Sequence, residues 1–218
     1  MRILHVHDKA GFQGGVEQIL FDTAAGLAAK GWPQALLYSE ESTDQGFLQA
    51  FENANRHISM IESFKPDAVL FHKVSDTARL AEVASKVPSA HMVHDHDMVC
   101  PRKHKYFPLS LKVCNKPAGS ACYLNLCCVQ KSLPGSLLPI TLKGTAQVKQ
   151  QLQAAGGVRH FFVGSQYMKN ELEINGIDGG TVDIVHPVPA ALQQPSAMPQ
   201  GEQANILFVG QDRKSTRL

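Results

Sequence analysis

The chain is predicted to form an α/β domain built on a doubly wound, mostly parallel, Rossmann-like sheet, and three observations carry that expectation. A strand-like run from Arg2 to His7 meets a glycine-rich turn, Gly11 to Gly15, and an amphipathic helix follows at once. Short apolar runs then alternate with helical periods as far as Val93, the order that places parallel strands under crossover helices. Finally, 218 residues with 44% hydrophobic and 18% charged side chains suffice to bury one substantial core.

Each element has its own signal. Val16, Ile19, Leu20, Thr23, Ala24, Leu27 and Ala28 follow the three-and-four spacing of one buried helix face, and Gly31 stands where a helix ends. The amides of Gly14, Gly15 and Val16 are thereby set at a helix N-terminus, where unpaired N–H groups and the helix dipole favour an anion. Gln34 to Tyr38 reads as the second strand, and Phe47, Leu48 and Phe51 suggest a helix before the turn at Lys65, Pro66 and Asp67. Ala68 to His72 is a short apolar strand. Asp76 caps a helix buried through Leu80, Val83 and Ala84, and Ser89 to Val93 is the next strand. Beyond a long break come a helix at Thr145 to Leu152, a strand at Phe161 to Val163, a helix from Ser165 to Asn175 and a strand at Val182 to Val185.

The break, residues 98–138, is rich in Pro, Lys, Cys and Leu without a clean period, and is too long for an ordinary connection. It opens a stretch, Met98 to Asn170, that has no Asp or Glu and ten basic residues, so the flanking regions sum to −8 while the whole chain is +2. Such one-sided charge draws anionic partners. Tyr106, Phe107, Leu109, Leu111, Leu124, Leu126, Leu133, Leu137 and Leu138 interleave with its lysines. Either they pack on the domain's own core or they suit an anionic membrane surface. All five cysteines lie there too. Cys100, Cys114, Cys122 and Cys127 could staple the loop through a structural metal, but the spacing is loose and free thiols are the simpler expectation. No signal peptide or spanning segment is visible, so a cytoplasmic location, with peripheral contact at the inner face of a membrane, is expected.

Residues 1–189 are expected to be one domain, 190–204 a linker and 205–211 the first strand of a second domain. Residues 212–218, Asp-Arg-Lys-Ser-Thr-Arg-Leu, translate the opening of a common sequencing adapter and are expected to be a non-native tail. The landmarks come in a familiar order: Gly14-Gly15-Val16-Glu17, the Lys65-Pro66-Asp67 turn with its strand ending at His72, His94-Asp95, Val163-Gly164-Ser165, and Ile206-Leu207-Phe208-Val209-Gly210. With these the chain resembles the N-terminal domain of the family 4 glycosyltransferases of GT-B fold, cut at the start of the second domain. His186-Pro187-Val188-Pro189 departs from the Pro-Asn-Gly-Val that many members carry there, and Gln211 replaces a basic residue.

The resemblance implies a retaining transferase that moves a sugar from a nucleotide-sugar donor to an acceptor hydroxyl, glycan or lipid-linked, with no cofactor and no catalytic metal. It implies that His94 lies beside the donor sugar as the best candidate for catalysis, and that Gly14, Gly15, Val16, Asp95, Ser165 and His72 line the donor and acceptor sites. His7, like His72, ends a strand and reads as edge-lining. The nucleotide and a paired-glutamate motif would belong mainly to the second domain, so residues 1–218 alone are expected to be inactive. The alternative is a non-catalytic basic module, metal-stapled, that docks on a membrane or partner. Nucleic acid is not expected, because the basic residues come without a reading motif.

Overall fold

In the computed structural model the described residues are 1–41, 43–132, 140–142 and 144–186. Strand β1 (Ile3–Val6) leads through the glycine loop into helix α1 (Gly15–Ala28), and β2 (Gln34–Leu37) returns beside β1 in parallel register, Ile3 opposite Gln34. A single turn α2 (Gln45–Leu48), an edge strand β3 (Asn53–Asn55) and the short α3 (Met60–Phe64) precede β4 (Ala68–Phe71). The polar β3 carries no hydrophobic alternation, so no strand is predicted there from the sequence.

Asp76 caps α4 (Thr77–Lys86), its carboxylate accepting from the amides of Ala78 and Arg79 as its position implies. Strand β5 (Ser89–Val93) then pairs with β4. The inserted segment follows. Among its described residues it forms a short helix α5 (Ser120–Leu124) and a strand β6 (Val129–Lys131), which pairs antiparallel with β7 (Ile140–Leu142) just beyond it, so it is less irregular than its composition suggests. The chain rejoins the sheet through α6 (Ala146–Ala154), β8 (His160–Val163), α7 (Gln166–Ile174) and β9 (Val182–Ile184).

The seven parallel strands lie in the order β3-β2-β1-β4-β5-β8-β9. Strand order therefore reverses between β1 and β4, and ligands of open α/β sheets sit outside the carboxyl ends at such a point. Because side chains alternate between faces, each strand feeds two cores. Leu4, Val6, Val69, Phe71, Val93 and Val163 join Leu80, Val83 and Leu172 on one face. Leu36 joins Leu20, Ala24, Phe47 and Phe51 on the other. The expected linker, second-domain strand and tail, like Pro187, Pro189, Leu133, Leu137 and Leu138, lie outside the described residues.

Basic residues of the insertion are partly neutralised by acids outside it. Lys103 pairs with Asp97 at 2.8 Å, and Lys105, buried, pairs with buried Glu171 of α7 at 2.5 Å while donating to the Lys116 carbonyl. The expectation that the insertion's leucines pack on the core fails at several positions. Leu109 is 81% and Leu124 84% exposed, and Leu111 and Leu126 also face solvent.

Candidate functional site

The carboxyl edge around the switch point is lined by histidines. His5 and His7 lie on β1 and just after it, His72 follows β4, His91 lies in β5, and His94 follows β5. Three of them share a sheet face and touch. His5 Nδ1 is 3.1 Å from His72 Nε2, and His72 Nδ1 is 3.1 Å from His94 Nε2. Their rings stack with centroids 5.4 Å apart in both pairs. Since His5 stands opposite Leu70 and Phe71 opposite His91, each ring sits two residues further along than its predecessor. The row therefore climbs diagonally from the interior at His5 to the sheet edge at His94.

At its inner end, His5 Nε2 lies 2.8 Å from Gln34 Oε1, and Gln34 Nε2 donates to the Trp32 carbonyl at 2.7 Å. His7 is fixed separately: the Lys73 amide donates to its Nδ1, and its Nε2 reaches Glu17 at 3.1 Å. His91 Nε2 donates to the His72 carbonyl at 2.6 Å, while its buried Nδ1 has no hydrogen-bond partner among the described residues. Burial pushes His5, His91 and His94 down to about 4, the neighbouring histidines adding to the effect at His94. His72 falls well below the ordinary histidine value, first through burial and then through the histidines around it. The cluster is neutral at physiological pH, so His94 can exchange hydrogen bonds with a ligand without carrying charge.

Charge enters at the rim. Lys73 Nζ binds Asp95 at 2.7 Å and Asp97 at 2.8 Å. Burial opposes the lysine's charge, yet its hydrogen bonds to the two carboxylates prevail and raise it to about 12. Burial likewise works against an ionised Asp95, and the Lys73 ammonium outweighs it, holding the carboxyl below its usual range. A small cavity opens here, lined by His72, Lys73, His91, His94, Asp95 and Asp97 together with the start of the insertion.

The structure brings His72, His94 and Asp95 to one place. His72 lies beneath its surface, fully buried with both ring nitrogens taken by other histidines. Gly14, extended at φ −178°, precedes the first turn of α1 across the switch point. A side chain on Gly14 would approach Glu17 Oε2 at 3.4 Å, whereas one on Gly15 would meet nothing within 4 Å. The space above Gly15 is thus open, and the buried Glu17 carboxylate already answers part of the helix dipole. Ser165 caps α7, accepting from the Met168 amide at 3.3 Å. The sequence reading missed Lys73, Asp97, Gln34 and the linkage of His5. Their one available signal was His5 itself, a histidine inside an apolar strand whose buried ring requires polar partners.

All five cysteines are free, and Cys122, Cys127 and Cys128 pack against Phe107 as a small apolar cluster. Burial first, and the neighbouring thiols second, push Cys127 up to about 11. Among the described residues, no group of three or more His, Cys, Asp or Glu is arranged to hold a metal ion. No described helix is long and apolar enough to cross a membrane.

No protein-family model and no curated protein matches the chain. Solved structures do. HepE of Anabaena, crystallised with UDP-glucose, superposes with a TM-score of 0.50 at 12% identity over 86% of this chain and 44% of its own. WaaB, a lipopolysaccharide outer core galactosyltransferase in its apo form, gives 0.47 at 8% identity over 85% and 45%. The UDP-GlcNAc 2-epimerase of Neisseria meningitidis bound to UDP-GlcNAc gives 0.45 at 13% over 84% and 45%. The likeness to HepE is one of fold, the Rossmann-like α/β sheet, and the chain spans less than half the length of these structures.

Proposed function

We propose that the chain is the acceptor-side half of a glycosyltransferase of GT-B type, which takes a nucleotide-sugar donor and glycosylates an acceptor hydroxyl with retention. One observation carries this: a neutral imidazole, His94, stands at the carboxyl edge beside the switch point, with Asp95 and Lys73 on the same cavity and the first-turn Glu17 of α1 near enough to act on it electrostatically. The fold shared with HepE, whose crystals hold UDP-glucose, supports the same reading. In it His94 contacts the donor sugar, and the amides of Gly14, Gly15 and Val16 face the diphosphate. Asp95, fixed by Lys73, accepts from acceptor hydroxyls, and Ser165 borders the site from the far side of β5. No cofactor takes part, and a second α/β domain supplies the rest of the donor site, so residues 1–218 turn over no donor alone.

The test is a screen of nucleotide sugars against the chain and against the complete reading frame of its source genome, sequenced through codon 211. Binding to the complete protein that His94→Ala weakens at least tenfold is expected; undiminished binding in that variant refutes the role of His94. Turnover by residues 1–218 refutes the prediction that they are inactive alone.

One observation favours membrane contact as well. Leu109, Leu111, Leu124 and Leu126 are exposed on the insertion amid its lysines, the composition of a surface for anionic lipid and hence for a lipid-linked acceptor. This is also the surface on which a purely non-catalytic docking module would rely.

A further inference from the structure

We propose that His94 is held as one neutral tautomer, protonated on Nε2 and bare on Nδ1, by a buried relay whose direction is set at its far end by the Trp32 carbonyl. It would then meet a ligand as a hydrogen-bond acceptor. The ligand's identity as a nucleotide sugar rests on the function proposed above, whereas the tautomer does not.

The direction follows link by link. Gln34 is fully buried, and one end of its amide lies 2.7 Å from the Trp32 carbonyl oxygen. A carbonyl can only accept, so the amide nitrogen must stand there; the reversed amide would press two oxygens together away from water. Gln34 Oε1 is therefore the atom 2.8 Å from His5 Nε2, and it too can only accept, so His5 carries its proton on Nε2. A neutral ring has one proton, and burial keeps His5 neutral, which leaves its Nδ1 bare.

His72 Nε2 must then donate across 3.1 Å to that lone pair, and the same step repeats. His72 Nδ1 is bare, and His94 Nε2 donates to it across 3.1 Å. Nδ1 of His94 is left with a lone pair and no hydrogen bond among the described residues. Gln34, His5 and His72 are accordingly positioning residues for a ring they reach in sequence.

The chemistry that such a nitrogen recognises is narrow. A sugar hydroxyl or an amide N–H can donate to it, while a phosphate oxygen at neutral pH has no proton to give. His94 is thus suited to reading the sugar and unsuited to holding the diphosphate. The opposite tautomer would present an N–H, which a phosphate oxygen as well as a hydroxyl can accept, so the amide of Gln34, three strands' breadth from the ligand, decides whether the edge discriminates between them.

Long-range proton–nitrogen correlation spectra of the histidine-labelled chain at neutral pH read each tautomer directly. The expected result is His5, His72 and His94 all protonated on Nε2. His94 protonated on Nδ1, or averaging between both forms, overturns the proposal. Gln34→Met removes the anchor, and His94 should then lose its single tautomer while circular dichroism keeps its α/β signature. An unchanged His94 in that variant overturns the role of Trp32 and Gln34. Should Gln34→Met fail to fold, His5→Phe, which fills the same volume beside Phe51, cuts the relay one link later with the same two outcomes. Absent sugar-nucleotide binding with the Nε2 tautomer in place would count against the proposed function and leave the relay standing.

Discussion

Acid should unfold this domain through its histidines before its carboxylates titrate. His5, His91 and His94 bind a proton near 6.5 in the unfolded chain and near 4 in the folded one, so the unfolded state holds more protons throughout that interval. A depressed folded value means that stability is complete above about pH 6.5 and is lost as the pH falls toward 4. Each group contributes about 1.4 kcal/mol per pH unit over the interval. At pH 5 an unfolded ring is almost fully charged and a folded one about a tenth charged, which amounts to about 2 kcal/mol per histidine. Three rings therefore lose about 6 kcal/mol between pH 8 and pH 5, a large share of the roughly 5–15 kcal/mol that holds a domain together. Asp95 does not enter this window, because its own value lies lower still. Urea unfolding at fixed pH values, followed by circular dichroism, measures the loss. A stability constant to within about 1 kcal/mol from pH 8 to 5 would refute the account of a neutral, buried row.

Breaking the buried pair that pins the insertion to α7, by Lys105→Met or Glu171→Gln, should cost about 3–5 kcal/mol, since each leaves a partner uncompensated. Thermal unfolding reads the cost, and limited proteolysis should cleave residues 103–117 faster. Lys73→Met should raise the pKa of Asp95, visible in carbon NMR titration, yet cost only about 1 kcal/mol because the lysine is partly exposed. Gly15→Ala meets open space in a helical position, so the chain should gain about 0.5 kcal/mol in denaturant unfolding. Calorimetry on the complete protein should show the same change weakening nucleotide-sugar binding, and unchanged binding would remove Gly15 from the site. Vesicles of anionic lipid should sediment the chain at low salt, and Leu109→Asp with Leu124→Asp should reduce the pelleted fraction severalfold.

The order of strands and helices was legible because apolar runs of four or five residues are buried on both faces here, as with Ile3–Val6, and need no long-range information. Edge strand β3 was not, since Asn53 and Asn55 bury little and the strand exists only because β2 offers it a partner. The site divides likewise. His94 and Asp95 announce themselves by following a strand, whereas the Lys73 bridge and the Gln34 anchor depend on register between strands far apart in the chain. Composition alone left the packing of the insertion open for a simple reason. Leucine content is counted without regard to direction, and Leu109 and Leu124 point outward.

The insertion leaves the sheet at the end of β5 and returns at β8, so 66 residues separate two strands that lie side by side. Closing so long an excursion is only weakly dependent on its size, with each doubling adding about 0.6 kcal/mol. The histidine row, by contrast, is built wholly from residues 5–94. Floor and wall are thus separate modules: a graft that exchanged the wall for one of different length and polarity would leave the ring chemistry of the floor intact. The inserted segment could then change in length and surface character while the row of rings stayed fixed in the sheet.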